Sequence, residues 1–158
     1  MEKIVVSACL LGEPCRYDGK SCPNPMVIDF CSDKQVYPVC PEVLGGLLIP
    51  RTSCEIRGNR VISKTGENHT KEYQRGARKV LELMQREKIT MAVLKSKSPS
   101  CGVGKVYDGT FTGTLTEGDG ICAQMLKRHG LSVMDEEQLG FELKSRKFFL
   151  ENVRKKAL

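Results

Sequence analysis

The sequence contains no Cys-x-x-Cys pair anywhere in its 158 residues, although it carries eight cysteines. That absence removes the zinc ribbon, the thioredoxin-type redox pair and the ferredoxin run, each of which needs thiols close together in the chain. No apolar run approaches the roughly 20 residues required to cross a bilayer, so a membrane-spanning protein is excluded. The opening Met1-Glu-Lys-Ile-Val-Val-Ser-Ala has no apolar signal region. Histidine occurs only at His69 and His129. Neither lies in a motif, a surface or helix-capping role is expected for both, and no Ser-His-Asp arrangement is supported. No Walker loop exists, because the position five before Gly104 is Pro99 rather than glycine. Internal repeats, linkers and low-complexity segments are also missing.

What is present suffices for a folded core. A chain of this length with 40% hydrophobic residues reads as a single domain over residues 1–158 that needs no covalent staples. Without a secretory signal, cysteines point to reduced thiols in the cytoplasm, where they serve as ligands, catalytic groups or plain core residues more often than as disulfides. Net charge is +6, much of it in the stretch Lys144-Ser-Arg-Lys-Phe-Phe-Leu-Glu-Asn-Val-Arg-Lys-Lys. This permits attraction to nucleic acid. With no recognition motif or aromatic interleaving, the favoured reading is a solvated basic helix over about 136–158, with Phe148, Phe149 and Val153 packed on the domain.

Periodicity gives an α/β class: a mostly parallel sheet sandwiched by helices, with β-hairpin insertions. Ile4–Ala8 is a continuous apolar run of the kind buried on both faces of a parallel sheet. Pro25–Phe30 suits a short helix with proline in its first turn, and Val36–Val39 a second strand. Arg51–Ser63, with Gly58-Asn59 at its turn, reads as a hairpin. The clearest helix runs from about Glu67 to Lys88, where Tyr73, Ala77, Val80, Leu81 and Met84 repeat on one face. Met91–Lys95 is a third buried strand, and Lys105–Leu115 alternates as a second hairpin. Asp119 is expected to cap a helix whose apolar face includes Ile121, Cys122, Met125 and Leu126, ended by Gly130 at C′. Cys122 is therefore expected in the core. Leu131–Met134 reads as a further strand, and Asp135 with Gln138 as a capping box for the last helix.

Cys9, Cys40 and Cys101 each fall at or just beyond a strand end, where open α/β sheets gather their ligands. Three thiols there suggest thiolate ligation of zinc or iron, with a fourth coordination position left open for substrate or water. Cys40-Pro-Glu42-Val-Leu-Gly-Gly adds a carboxylate two residues from a thiol, and paired glycines that would let a ligand approach the backbone. Ser98-Pro-Ser-Cys101-Gly adds two hydroxyls beside another thiol. The loop Cys9-Leu-Leu-Gly-Glu-Pro-Cys-Arg16 resembles the low-molecular-weight phosphatases. Its spacing departs from theirs, with six residues between Cys9 and Arg16, and Pro14 removes an amide a phosphate cradle would need. A zinc-binding module and a cysteine hydrolase of that type thus stand as alternatives.

Taken together, Val6-Ser-Ala-Cys-Leu-Leu-Gly, Cys15-Arg-Tyr-Asp-Gly, Cys40-Pro-Glu-Val-Leu-Gly-Gly, Pro50-Arg-Thr-Ser-Cys-Glu-Ile and Ser98-Pro-Ser-Cys-Gly resemble the thiouracil desulfidase family over nearly the whole chain. The resemblance implies a [4Fe-4S] cluster held by three cysteines, carried by motif position onto Cys9, Cys40 and Cys101, with Cys15 or Cys54 able to stand in for Cys40. It further implies a non-redox reaction on a small thiolated base such as 2-thiouracil. The open iron would take the thiocarbonyl sulfur, water would add at carbon, and sulfide would leave. Ser98 and Glu42, each close in sequence to a ligand, are the candidates for moving protons.

Overall fold

The computed structural model describes residues 1–157. The apolar run at the start becomes β1, Lys3–Ser7, and it lies between β2, Gln35–Val39, and β5, Met91–Leu94. With β8, Ser132–Asp135, these form a four-stranded sheet in the order β2-β1-β5-β8, every pairing parallel. Alternation along β1 sorts its side chains to two helical layers. Val5 faces the layer of α3, Thr70–Glu87, and α4, Ile121–Arg128, in one core with Val80, Met84 and Leu126. Ile4 and Val6 face the other layer, where Val27 of α1, Pro25–Phe30, meets Leu139 of α5, Glu136–Ala157. The mixed α/β class and the parallel sheet agree with the sequence reading.

Two hairpins leave this frame on the side of the strand carboxyl ends: β3, Cys54–Arg57, with β4, Arg60–Ser63, and β6, Lys105–Tyr107, with β7, Leu115–Glu117. A 3-10 turn, Ala8–Leu11, follows β1, and the single-turn α2, Pro41–Leu44, follows β2.

Several local expectations hold. All five apolar residues singled out on α3 are buried, as is Cys122, and α1 carries Pro25 in its first turn. Asp135 and Gln138 form the reciprocal box, each side chain accepting the other's backbone N–H at 2.8 and 3.0 Å. Gly130, with φ 77°, ends α4. His69 stands at the N-cap of α3, and His129 at the C-cap of α4, its ring nitrogen 2.9 Å from the carbonyl of Met125.

Three expectations are corrected. The N-cap of α4 is Gly120, not Asp119, whose carboxylate instead receives the amide of Gly104 and the ammonium of Lys127. Phe148 and Phe149 do not pack on the domain but are 67% and 65% exposed, and Val153 is exposed with them. Of the paired glycines, Gly45 serves helix packing rather than ligand approach: a Cβ there would sit 1.9 Å from the carbonyl oxygen of Glu72 on α3. The final residue of the expected basic helix, Leu158, lies outside the described residues.

Candidate metal centre

Because all four strands of the main sheet run the same way, their carboxyl ends share one edge, and the loops leaving β1, β2 and β5 meet there. A cavity of about 520 Å³ opens at this edge, and Cys9, Cys40 and Cys101 all line it. Cys9 arrives on the 3-10 turn after β1, Cys40 is the N-cap of α2, and Cys101 lies in the loop after β5. Glu42 and Ser98 line the same cavity, as do Cys15 and Cys54. No cysteine forms a disulfide; all eight are free thiols.

The thiols influence one another. Contact with Cys40 lowers the Cys15 thiol, but contact with Cys9 together with burial outweighs it and the net shift is upward. Cys40 is driven strongly upward by Cys15 beside it and by burial. Its own Sγ–H points to the carbonyl of Cys15 at 3.7 Å. Cys101 is the most enclosed of the three, and burial pushes its thiol up to about 11 against the opposing hydrogen bonds of Ser7 and Ser100. Ser7 donates its hydroxyl to the Sγ at 3.5 Å, which favours a negatively charged sulfur, and Ser100 Oγ lies at the same distance with its own hydrogen directed to the nearer Glu42. Ser7 is fixed in turn by the amide of Lys95, which donates to its Oγ at 2.8 Å.

Glu42 sits on the first turn of α2, buried, with every neighbour a donor. Arg51 Nε at 3.0 Å and Tyr73 OH at 3.0 Å reach Oε1, while Ser100 Oγ at 2.7 Å reaches Oε2. The same Arg51 donates to the carbonyl of Cys15 at 2.9 Å, tying the loop after β1 to α2. Ser98 Oγ receives the amide of Cys101 at 2.7 Å and lies 3.3 Å from Ser100 Oγ. The two residues singled out for proton movement are therefore linked through a third, Ser100.

Sequence reasoning assigns no site role to Ser7, Ser100, Arg51 or Tyr73. Ser100 lies inside a motif already noted for its two hydroxyls, and Arg51 lies in a segment that supports the family resemblance. Ser7 and Tyr73 look like ordinary core positions of a strand and a helix, and nothing in their spacing reveals a polar role.

The donor set fits an iron-sulfur group. The facing ligand atoms are soft thiols, no histidine lines the cavity, and both lining carboxylates are already engaged, Glu42 as above and Glu55 with the amides of Gly109 and Phe111. Among the described residues no three His, Cys, Asp or Glu side chains stand close enough to hold a single metal ion. The loop after β1 counts against the phosphatase alternative. The amides of Gly12, Glu13, Cys15 and Arg16 all donate to backbone carbonyls of their own loop, leaving few to wrap a phosphate.

A protein of Bacillus subtilis (strain 168), YbbK, is 36% identical over 146 residues, spanning 86% of this chain and 97% of that protein. The solved structure of the [4Fe-4S]-dependent thiouracil desulfidase TudS superposes with a TM-score of 0.84 at 40% identity, covering 94% of this chain and 99% of that one. The model of the 2-thiouracil desulfurase family matches residues 4–138, and the chain belongs to that family of sulfur-removing enzymes.

Proposed function

We propose that this protein converts a thiolated nucleobase, 2-thiouracil or a close relative, to its oxo form with release of sulfide, using a [4Fe-4S] cluster held by Cys9, Cys40 and Cys101. The observation that carries the reading is the convergence of these thiols, from three separate strand ends, on one cavity that also holds two hydroxyls and a buried carboxylate. When bound, the cluster would supply a Lewis-acidic iron with a free position for the thiocarbonyl sulfur. Exchange of sulfur for the oxygen of water leaves all oxidation states unchanged, so no electron donor is required.

The chain's own residues supply geometry and proton traffic. Ser7 holds a hydroxyl hydrogen on Cys101 and so favours its thiolate form. Ser98 Oγ, Ser100 Oγ and Glu42 Oε2 make a continuous hydrogen-bonded path from the cavity to a carboxylate. Ser98 would pass a proton at its Oγ from the attacking water, with Glu42 at the far end of the path. Arg51 and Tyr73 keep that carboxylate oriented. Free thiols throughout and the oxygen sensitivity of such a cluster suit a reducing cytoplasm.

Anaerobic reconstitution with iron and sulfide tests the proposal. The wild-type protein should turn brown and release sulfide from 2-thiouracil, while Cys9→Ser, Cys40→Ser and Cys101→Ser should each fail to retain a full cluster. Full iron content in all three variants would sink the ligand set.

A further inference from the structure

The geometry points to Phe111 as the residue that takes the face of the substrate base, held over the cavity by a support built from β3. This rests on the desulfuration reading and adds to it a substrate-binding group. Phe111 sits at the tip of the β6–β7 hairpin, yet it lines the cavity of the cysteines. Its neighbours Thr110 and Thr112 behave as tip residues do: both are exposed, and their hydroxyls bond to each other and to Asp108 or Thr114. Between them Phe111 turns inward, and to do so it adopts a left-handed backbone, φ 57°, which a bulky non-glycine residue rarely holds unless its surroundings impose it.

Those surroundings come from one strand of the other hairpin. Glu55 Oε1 accepts the amides of Gly109 at 2.9 Å and Phe111 at 3.1 Å. Arg57 Nε donates to the carbonyl of Gly109 at 2.7 Å, and its guanidinium lies 5.8 Å from the Phe111 ring centroid. Gly109 has no room for a side chain, since a Cβ would sit 2.7 Å from Arg57 and 2.8 Å from the carbonyl oxygen of Ile56. A carboxylate, a guanidinium and an obligatory glycine therefore fix one aromatic ring, half-exposed, at the wall of the cavity. A planar pyrimidine is the ligand such a ring accommodates, because every base offers a π-face whatever its substituents. Glu55 and Arg57 act through Phe111 as positioning residues.

The test compares steady-state kinetics on 2-thiouracil for reconstituted wild-type, Phe111→Ala, Phe111→Tyr and Glu55→Gln proteins, with iron per chain measured for each. Phe111→Ala should raise KM by about ten-fold or more, the scale of a lost stacking contact, with kcat within about two-fold and iron content unchanged. Phe111→Tyr should restore KM, and Glu55→Gln should raise it with the iron content intact. An unchanged KM in Phe111→Ala, or a loss confined to kcat, overturns the assignment, as does a fall of iron content in Glu55→Gln. If the wild-type holoenzyme releases no sulfide, the desulfuration reading fails. Calorimetric titration with uracil then decides the role of Phe111: binding by wild type that weakens in Phe111→Ala upholds it, and equal binding or none refutes it.

Discussion

Cys101 shows how a single residue can be made into a ligand by its neighbours. Enclosure pushes its thiol up, to about 11, while two serine hydroxyls pull the other way. Of those serines, Ser7 is the more consequential, because it also receives the amide of Lys95. Ser7→Ala should therefore orphan an amide and strip a donor from the sulfur. The expected cost is about 1–3 kcal/mol of stability, read by denaturant unfolding under reducing conditions, together with a weaker hold on iron after reconstitution. Cys122→Ala provides the contrast. Cys122, on α4, is fully buried in the core that α4 shares with α3, outside the cavity lining, so this variant should lose some stability but keep a full cluster. Cys122 was legible as core from its helical register, whereas Ser7 was not legible as a support, because a serine inside an apolar strand has the same pattern whether its hydroxyl meets solvent or sulfur.

Among the elements, α2 has the most influence for its size. Its four residues follow Cys40 and carry Glu42, and it lies close against α3 through facing glycines. A Cβ on Gly76 would stand 1.8 Å from the carbonyl oxygen of Pro41, and one on Gly45 1.9 Å from that of Glu72. In an isolated helix Gly76→Ala would stabilise by roughly 1 kcal/mol. Here it should destabilise by about 1–3 kcal/mol, because backbone cannot yield as a flexible side chain can, and α2 must shift with its carboxylate and thiol. Thermal unfolding checks the sign, and iron content after reconstitution checks the displacement of Cys40. The long α3 was readable because many apolar residues repeat on one face, and the Asp135–Gln138 box because two side chains at fixed spacing declare it. The single turn of α2 gave too few residues for any period. Asp119 misled for a physical reason: an acid before an apolar run is the usual sign of a cap, but Gly120 must take that place since any Cβ would sit 2.5 Å from the carbonyl carbon of Ser100.

At the level of the whole molecule, the layers do not match in length. A helix of 22 residues extends about 33 Å, whereas a four-residue strand such as β8 covers about 13 Å. The last helix must therefore outrun the sheet it covers. Its first turns are engaged: Glu136 is buried against Lys95 at 2.8 Å and the amide of Ser96 at 2.7 Å, and Leu139 lies in the core with Val27. Leu143 still packs on that core, but further along Phe148, Phe149, Leu150 and Val153 are all exposed. A hydrophobic pattern does not reveal where the neighbouring layer stops, which is why the sequence suggested packing there. The two parts of α5 should respond very differently to change. Ending the chain after Lys147 should shift the melting temperature by only about 2 °C, as removal of exposed groups does, and should leave iron content intact. Leu139→Ala should cost about 2–5 kcal/mol and, by loosening the helix that anchors Glu136 and Lys95 at the cavity, should lower the retained iron as well. Equal melting temperatures for Leu139→Ala and the wild type would mean that α5 contributes nothing to closing this face of the sheet.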